Sequence, residues 1–134
     1  MAKVPEVGCR AGRLDICFEQ GAAFDVLMTW REKAAPQTPI DLTGFTARMK
    51  VVFDQGETSE ALVLELTTGN GRIILGGTAG TIRLLVTATD TAALTEADFE
   101  NTCYDLELVP GVPLTEEVRR LIEGNARLKT EKTT

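Results

Sequence analysis

The sequence predicts an all-β fold, a sandwich of about eight mostly antiparallel strands. Three observations predict it. Apolar residues recur at every second position along most of the chain, the spacing of a sheet with one face in a core. Clusters of Gly, Pro, Asn and Asp break these runs at intervals of roughly ten residues. No stretch of helical periodicity long enough for a core helix interrupts them.

The elements follow in chain order. Leu14, Ile16 and Phe18 alternate with Asp15 and Glu19, so Arg13 to Glu19 reads as a first strand, ended by Gln20-Gly21. Phe24, Val26, Met28 and Trp30 repeat the pattern with Asp25, Thr29 and Arg31 opposite. Pro36 and Pro39 mark Glu32 to Pro39 as a loop. Asp41-Leu42-Thr43-Gly44 reads as a turn into a strand with Phe45, Ala47, Met49, Val51 and Phe53 inward. Thr46, Arg48 and Lys50 then form its polar side. Asp54-Gln55-Gly56-Glu57 is the next turn, and Leu62, Leu64 and Leu66 define the strand after it. Asn70-Gly71 predicts a type I′ hairpin, in which both central residues take positive φ.

Arg72 to Leu75 is a short strand, and Gly76-Gly77 with Gly80 marks another turn. Ile82, Leu84 and Val86 alternate with Arg83 and Thr87. Asp90 to Leu94 predicts one helical turn capped by Thr89 or Asp90. Tyr104, Leu106 and Leu108 make the next strand, Pro110 to Pro113 a loop, and Val118 to Leu128 the last strand. Gly124 is expected at a bulge or a crowded contact, and Glu123-Gly124 at an edge position. The expected organisation is an N-terminal tail over 1–12, a single sandwich domain over 13–130 and a C-terminal tail over 131–134.

Composition narrows the function. The chain has 134 residues with a net charge of −6, from 14 basic and 20 acidic residues. That balance argues against nucleic-acid binding and against docking on an anionic membrane. The one adjacent basic pair is Arg119-Arg120. Cys9, Cys17 and Cys103 form neither a disulfide framework nor a CxxC pair, and the chain has no histidine, so no metal site is expected. The start Met1-Ala2-Lys3-Val4-Pro5 has no apolar signal core, and no stretch approaches the length of a membrane span. A soluble compartment is the expectation.

Catalytic chemistry has little to work with. Without histidine, Ser–His–Asp and Cys–His arrangements are impossible, and Ser59 reads as a loop residue. Asp105 and Glu107 project from one face of one strand and are the candidates for a carboxylate pair. The simpler reading is a solvated face opposite Tyr104, Leu106 and Leu108. Gly69-Asn70-Gly71 and Gly76 to Gly80 lack the Gly-Lys-Ser/Thr that a P-loop requires. Six of the aromatics fall on expected core faces, and Phe99 alone is expected to be loose, which is weak support for a sugar platform. No enzyme activity, cofactor or small-molecule substrate is expected.

Several segments together resemble small immunoglobulin-like proteins of tailed bacteriophages, similar to the N-terminal domain of phage baseplate upper proteins. They are Glu19-Gln20-Gly21-Ala22-Ala23-Phe24, Leu27-Met28-Thr29-Trp30, and Pro39 to Met49. Leu64-Glu65-Leu66-Thr67, Asn70-Gly71-Arg72-Ile73, Tyr104 to Leu108 and Val118 to Gly124 complete the series. The resemblance implies an immunoglobulin-like β-sandwich and a virion structural protein of the tail or baseplate, assembled in the host cytoplasm. Its implied partners are other tail or baseplate proteins, in multiple symmetric copies, which it connects or anchors together with fibres. The alternatives are a carbohydrate-binding or host-adhesion module, or a head decoration protein. The expected interface residues are Ala34, Pro36, Pro39, Arg119 and Arg120, together with the termini.

Overall fold

Among the described residues, strand-forming alternation becomes nine strands in two sheets. A computed structural model describes residues 12–32, 35–54, 60–111 and 118–130. Residues 1–11 of the expected N-terminal tail, with Cys9, and the C-terminal tail 131–134 lie outside the described residues, as do Ala34, Ser59, most of the expected turn 54–57 and the Val112-Pro113 part of the later loop; Gly12, expected in the tail, already belongs to the first strand. The strands are β1 (Gly12–Arg13), β2 (Ile16–Glu19), β3 (Phe24–Thr29), β4 (Thr46–Asp54), β5 (Glu60–Thr67), β6 (Ile73–Leu75), β7 (Thr81–Val86), β8 (Thr102–Val109) and β9 (Arg119–Lys129). The larger sheet runs β1-β9-β8-β4-β5, with β2 continuing β1 along β9, and the smaller runs β3-β7-β6.

The chain changes sheet between β2 and β3, β3 and β4, β5 and β6, and β7 and β8. This order, with the first strand moved onto the last, is that of an immunoglobulin-like sandwich. Among the described residues, every strand pairing is antiparallel except those of β1 and β2 with β9.

The core lies between the sheets. Met49, Val51, Leu66, Leu106 and Leu108 of the larger sheet meet Ile73, Ile82, Leu84 and Val86 of the smaller one, all buried. Each such side chain contributes about 1.5–3 kcal/mol by leaving water. Phe18 bridges the layers: its ring centroid is 4.5 Å from that of Phe24 and 6.0 Å from that of Phe99. Phe99 is therefore a core residue, 9% exposed, where the sequence suggests a loose one. The 3₁₀ turn Glu96–Phe99 tucks it under β2 while its acidic residues stay in water.

Simple alternation fails in three places. The expected first strand splits at Leu14-Asp15, and Leu14 is 49% exposed. Opposite the split stands Gly124, where a Cβ would meet the Leu14 carbonyl oxygen at 2.2 Å. Gly124 is thus a crowded contact as expected, but β9 pairs on both sides, so it is no edge position. The β8–β9 bulge falls at Leu121 instead. Second, the β4–β5 register shifts between Val51 and Val52, making Val63 the extra residue. Val63 packs against the core and Leu62, expected inward, turns out to 55% exposure.

Third, Asn70-Gly71 closes no hairpin, since β5 and β6 belong to different sheets. Gly71 has φ +79°, but Asn70 is not among the positive-φ residues. The Asn70 side chain builds the crossing: Oδ1 accepts from the Thr67 and Arg72 amides at 3.0 Å each, and Nδ2 donates to the Glu65 carbonyl at 2.9 Å. The short helix α1 (Ala88–Ala92) starts before its expected place, because Thr87 is the N-cap and its hydroxyl accepts from the Asp90 amide.

Candidate interaction surfaces

Strand direction brings the β3–β4 loop, the β6–β7 turn and the start of the β8–β9 loop to one end of the sandwich. Backbone hydrogen bonds join them. The Trp30 amide donates to the Gly80 carbonyl at 2.8 Å, Ile40 to Trp30 at 2.9 Å, and Leu42 to Gly77 at 2.9 Å. Gly80 is needed there: at φ +69° it has the Trp30 and Ile40 carbonyls 2.9 Å from where a Cβ would stand. The Asp41 carboxylate accepts from the Thr43 hydroxyl at 2.6 Å and amide at 2.9 Å, bonds that hold its pKa below the usual carboxylate value. Gly111 packs on Gly44 of this turn.

Pro36 and Pro39 are exposed on this end, with a cis Ala35–Pro36 bond and Gln37 at φ +57°. The loop closes on itself through the Arg31–Pro39 bridge and the Glu32 amide donating to Thr38 at 2.9 Å. Arg119 lies at the same end, paired with Leu108 at the start of β9. Arg120 does not join it. Alternation sends Arg120 to the outer face, opposite Glu107, so the adjacent arginines occupy opposite sides of the sheet.

That outer face of the larger sheet is a lattice of charges. One row reads Glu65, Lys50, Asp105, Glu123 and Arg13 across five strands; the next reads Arg48, Glu107 and Arg120. Arg48 Nε donates to Glu107 at 2.9 Å, and Arg120 lies 3.3 Å from Asp105 and 3.8 Å from Glu123. The carboxylates considered for catalysis thus each face an arginine on a solvated sheet. Exposed pairs of this kind add about 0–1 kcal/mol each. A cavity of about 310 Å³ lies over the lattice, lined by Arg13, Lys50, Tyr104, Asp105 and Arg120 among others.

The opposite end is tied together by polar groups that the sequence does not single out. Buried Thr91 accepts from the Gly21 amide at 3.1 Å and donates to the Ala22 carbonyl at 2.8 Å. Gln20 Nε2 donates to the Leu94 carbonyl at 2.7 Å. Arg72 donates to Asp90 at 2.7 Å, which lowers the Asp90 pKa. A second cavity, about 430 Å³, is lined there by Cys17, Phe99, Leu128 and neighbouring charges.

Among the described residues, no group of three or more Cys, Asp or Glu is placed to hold a metal ion, and no helix is long and apolar enough to cross a membrane. The loop end presents Pro36, Pro39 and Arg119 to solvent. No protein-family model matches the chain, and no protein of curated function matches it.

Proposed function

We propose that this chain is a non-enzymatic structural component of a tailed-bacteriophage virion, in the tail or baseplate region, where it connects or anchors neighbouring proteins or fibres. One observation carries the reading: segments resembling the phage immunoglobulin-like proteins recur in order from Glu19 to Gly124. The sandwich is the fold that this resemblance implies. Its charged outer face, with each candidate carboxylate opposite an arginine, supports contact rather than turnover. Other virion proteins, in several symmetric copies, are the partners, and the loop end with Pro36, Pro39 and Arg119 is the surface that meets them. The sugar-binding alternative loses its main support, because Phe99 is buried against Phe18.

Quantitative mass spectrometry of purified particles tests the proposal. The protein is expected at a copy number comparable to that of other tail proteins. Its presence in infected-cell lysate but absence from purified particles overturns the reading.

A further inference from the structure

The chain has one Asn-Gly step, Asn70-Gly71, and at the β5–β6 crossing it closes no hairpin. The step carries a chemistry of its own. Glycine has no side chain to shield its amide nitrogen from the carboxamide of a preceding asparagine. The other asparagines, Asn101 and Asn125, precede Thr102 and Ala126, which do have side chains.

Water reaches both residues. Asn70 and Gly71 are exposed, and a Cβ at Gly71 would meet nothing within 4 Å. Among the described residues the Gly71 amide donates no hydrogen bond. The Asn70 carboxamide is the opposite case. Its Oδ1 accepts from the Thr67 and Arg72 amides at 3.0 Å each, and its Nδ2 donates to the Glu65 carbonyl at 2.9 Å. Around it, the Asn70 amide donates to the Thr67 hydroxyl at 2.9 Å, and Arg72 Nη1 donates to the same Glu65 carbonyl at 2.9 Å. Both ends of the carboxamide are held, and it closes on Gly71 only after these bonds break.

We propose that Asn70 is a site of spontaneous deamidation that the folded β5–β6 crossing keeps shut. In the reaction the Gly71 nitrogen gives up its proton to hydroxide and attacks Cγ of Asn70. The new N–Cγ bond closes a five-membered succinimide, the Cγ–Nδ2 bond breaks, and Nδ2 takes a proton from water and leaves as ammonia. Water then opens either ring carbonyl, giving aspartate or isoaspartate. Nothing is oxidised or reduced. Ring closure needs the carboxamide free of Thr67, Arg72 and Glu65, so the rate in the folded chain follows the fraction of molecules whose crossing is open. Both products lack the Nδ2 donor to Glu65, and isoaspartate adds a methylene to the main chain between the two sheets. A converted chain therefore cannot rebuild the same crossing.

This inference rests on the crossing alone and not on the proposed virion role, so the two fail separately. Peptide mapping by mass spectrometry of the full chain, held at mildly alkaline pH, follows the loss of Asn70, with Asn101 and Asn125 as internal references. Unfolded in urea, the chain is expected to convert at Asn70 well ahead of the other two. The folded chain is expected to convert there at least about tenfold more slowly than the unfolded one. Thr67→Val removes the hydroxyl that accepts from the Asn70 amide and leaves the reacting atoms in place. It is expected to raise the folded-state rate about threefold or more, and to leave the rate in urea unchanged. Circular dichroism checks that the variant is folded; if it is not, the wild-type comparison decides alone. Equal folded and unfolded rates overturn the protection, and conversion in urea no faster at Asn70 than at Asn101 or Asn125 overturns the site. A folded Thr67→Val chain that converts at the wild-type rate overturns the part given to the crossing.

Discussion

Tyr104 ties the strand at the centre of the larger sheet to the break between β1 and β2. Its ring is buried in the core, and its hydroxyl donates to the Leu14 carbonyl. Burial first, and the Asp15 charge second, push the Tyr104 pKa up from 10.0 to about 12. The folded protein therefore favours the neutral phenol. The stability this adds is complete below pH 10, falls as the unfolded chain ionises above that, and is lost by about pH 12. Tyr104 is the only tyrosine, so tyrosinate absorbance reports on it without overlap. A titration of the folded chain is expected to show a midpoint near 12, and Tyr104→Phe a loss of about 1 kcal/mol. A midpoint near 10 contradicts the buried, bonded hydroxyl. The inward place of Tyr104 is legible in its alternation with Leu106 and Leu108. Its bond to Leu14, ninety positions away, is not, because no local pattern records which strands become neighbours.

The strand break at Leu14-Asp15 shows why elements were read more easily than their irregularities. Alternation places Leu14 inward, yet three contacts turn the chain there. The Leu14 amide donates to the Glu123 carbonyl at 2.9 Å, the Asn125 amide donates to the Asp15 carboxylate at 2.9 Å, and Gly124 leaves room for the Leu14 carbonyl. Side chains and a missing Cβ thus replace part of the regular ladder. Gly124→Ala is expected to cost about 2–3 kcal/mol, because the atom that it would strike is backbone and must move. Urea unfolding followed by Trp30 fluorescence measures this, and an unchanged midpoint contradicts the crowding. The Val63 bulge and the Asn70 crossing escaped the sequence for a related reason. A bulge shifts the faces without changing composition, and Asn-Gly serves a crossing as readily as a hairpin once the asparagine side chain supplies the hydrogen bonds.

At the scale of the whole molecule, regular strands, turn spacing and missing helical periodicity were enough to read a two-layer β fold, and the sheets have that form. The surfaces were harder to read. Pro36, Pro39 and Arg119 share the loop end, but Arg120 belongs to the charge lattice on the outer face, because adjacent residues of a strand point opposite ways. The lattice depends on register across five strands, information that a single sequence spreads over more than a hundred positions. The proposed role is that of a connector whose loop end meets neighbouring proteins. A cryo-electron microscopy reconstruction of the intact particle tests that claim most directly. It is expected to place this sandwich at a fixed position in the tail or baseplate, in symmetric copies, with the end carrying Pro36, Pro39 and Arg119 against another virion protein. A reconstruction that accounts for all tail and baseplate density without this sandwich contradicts it.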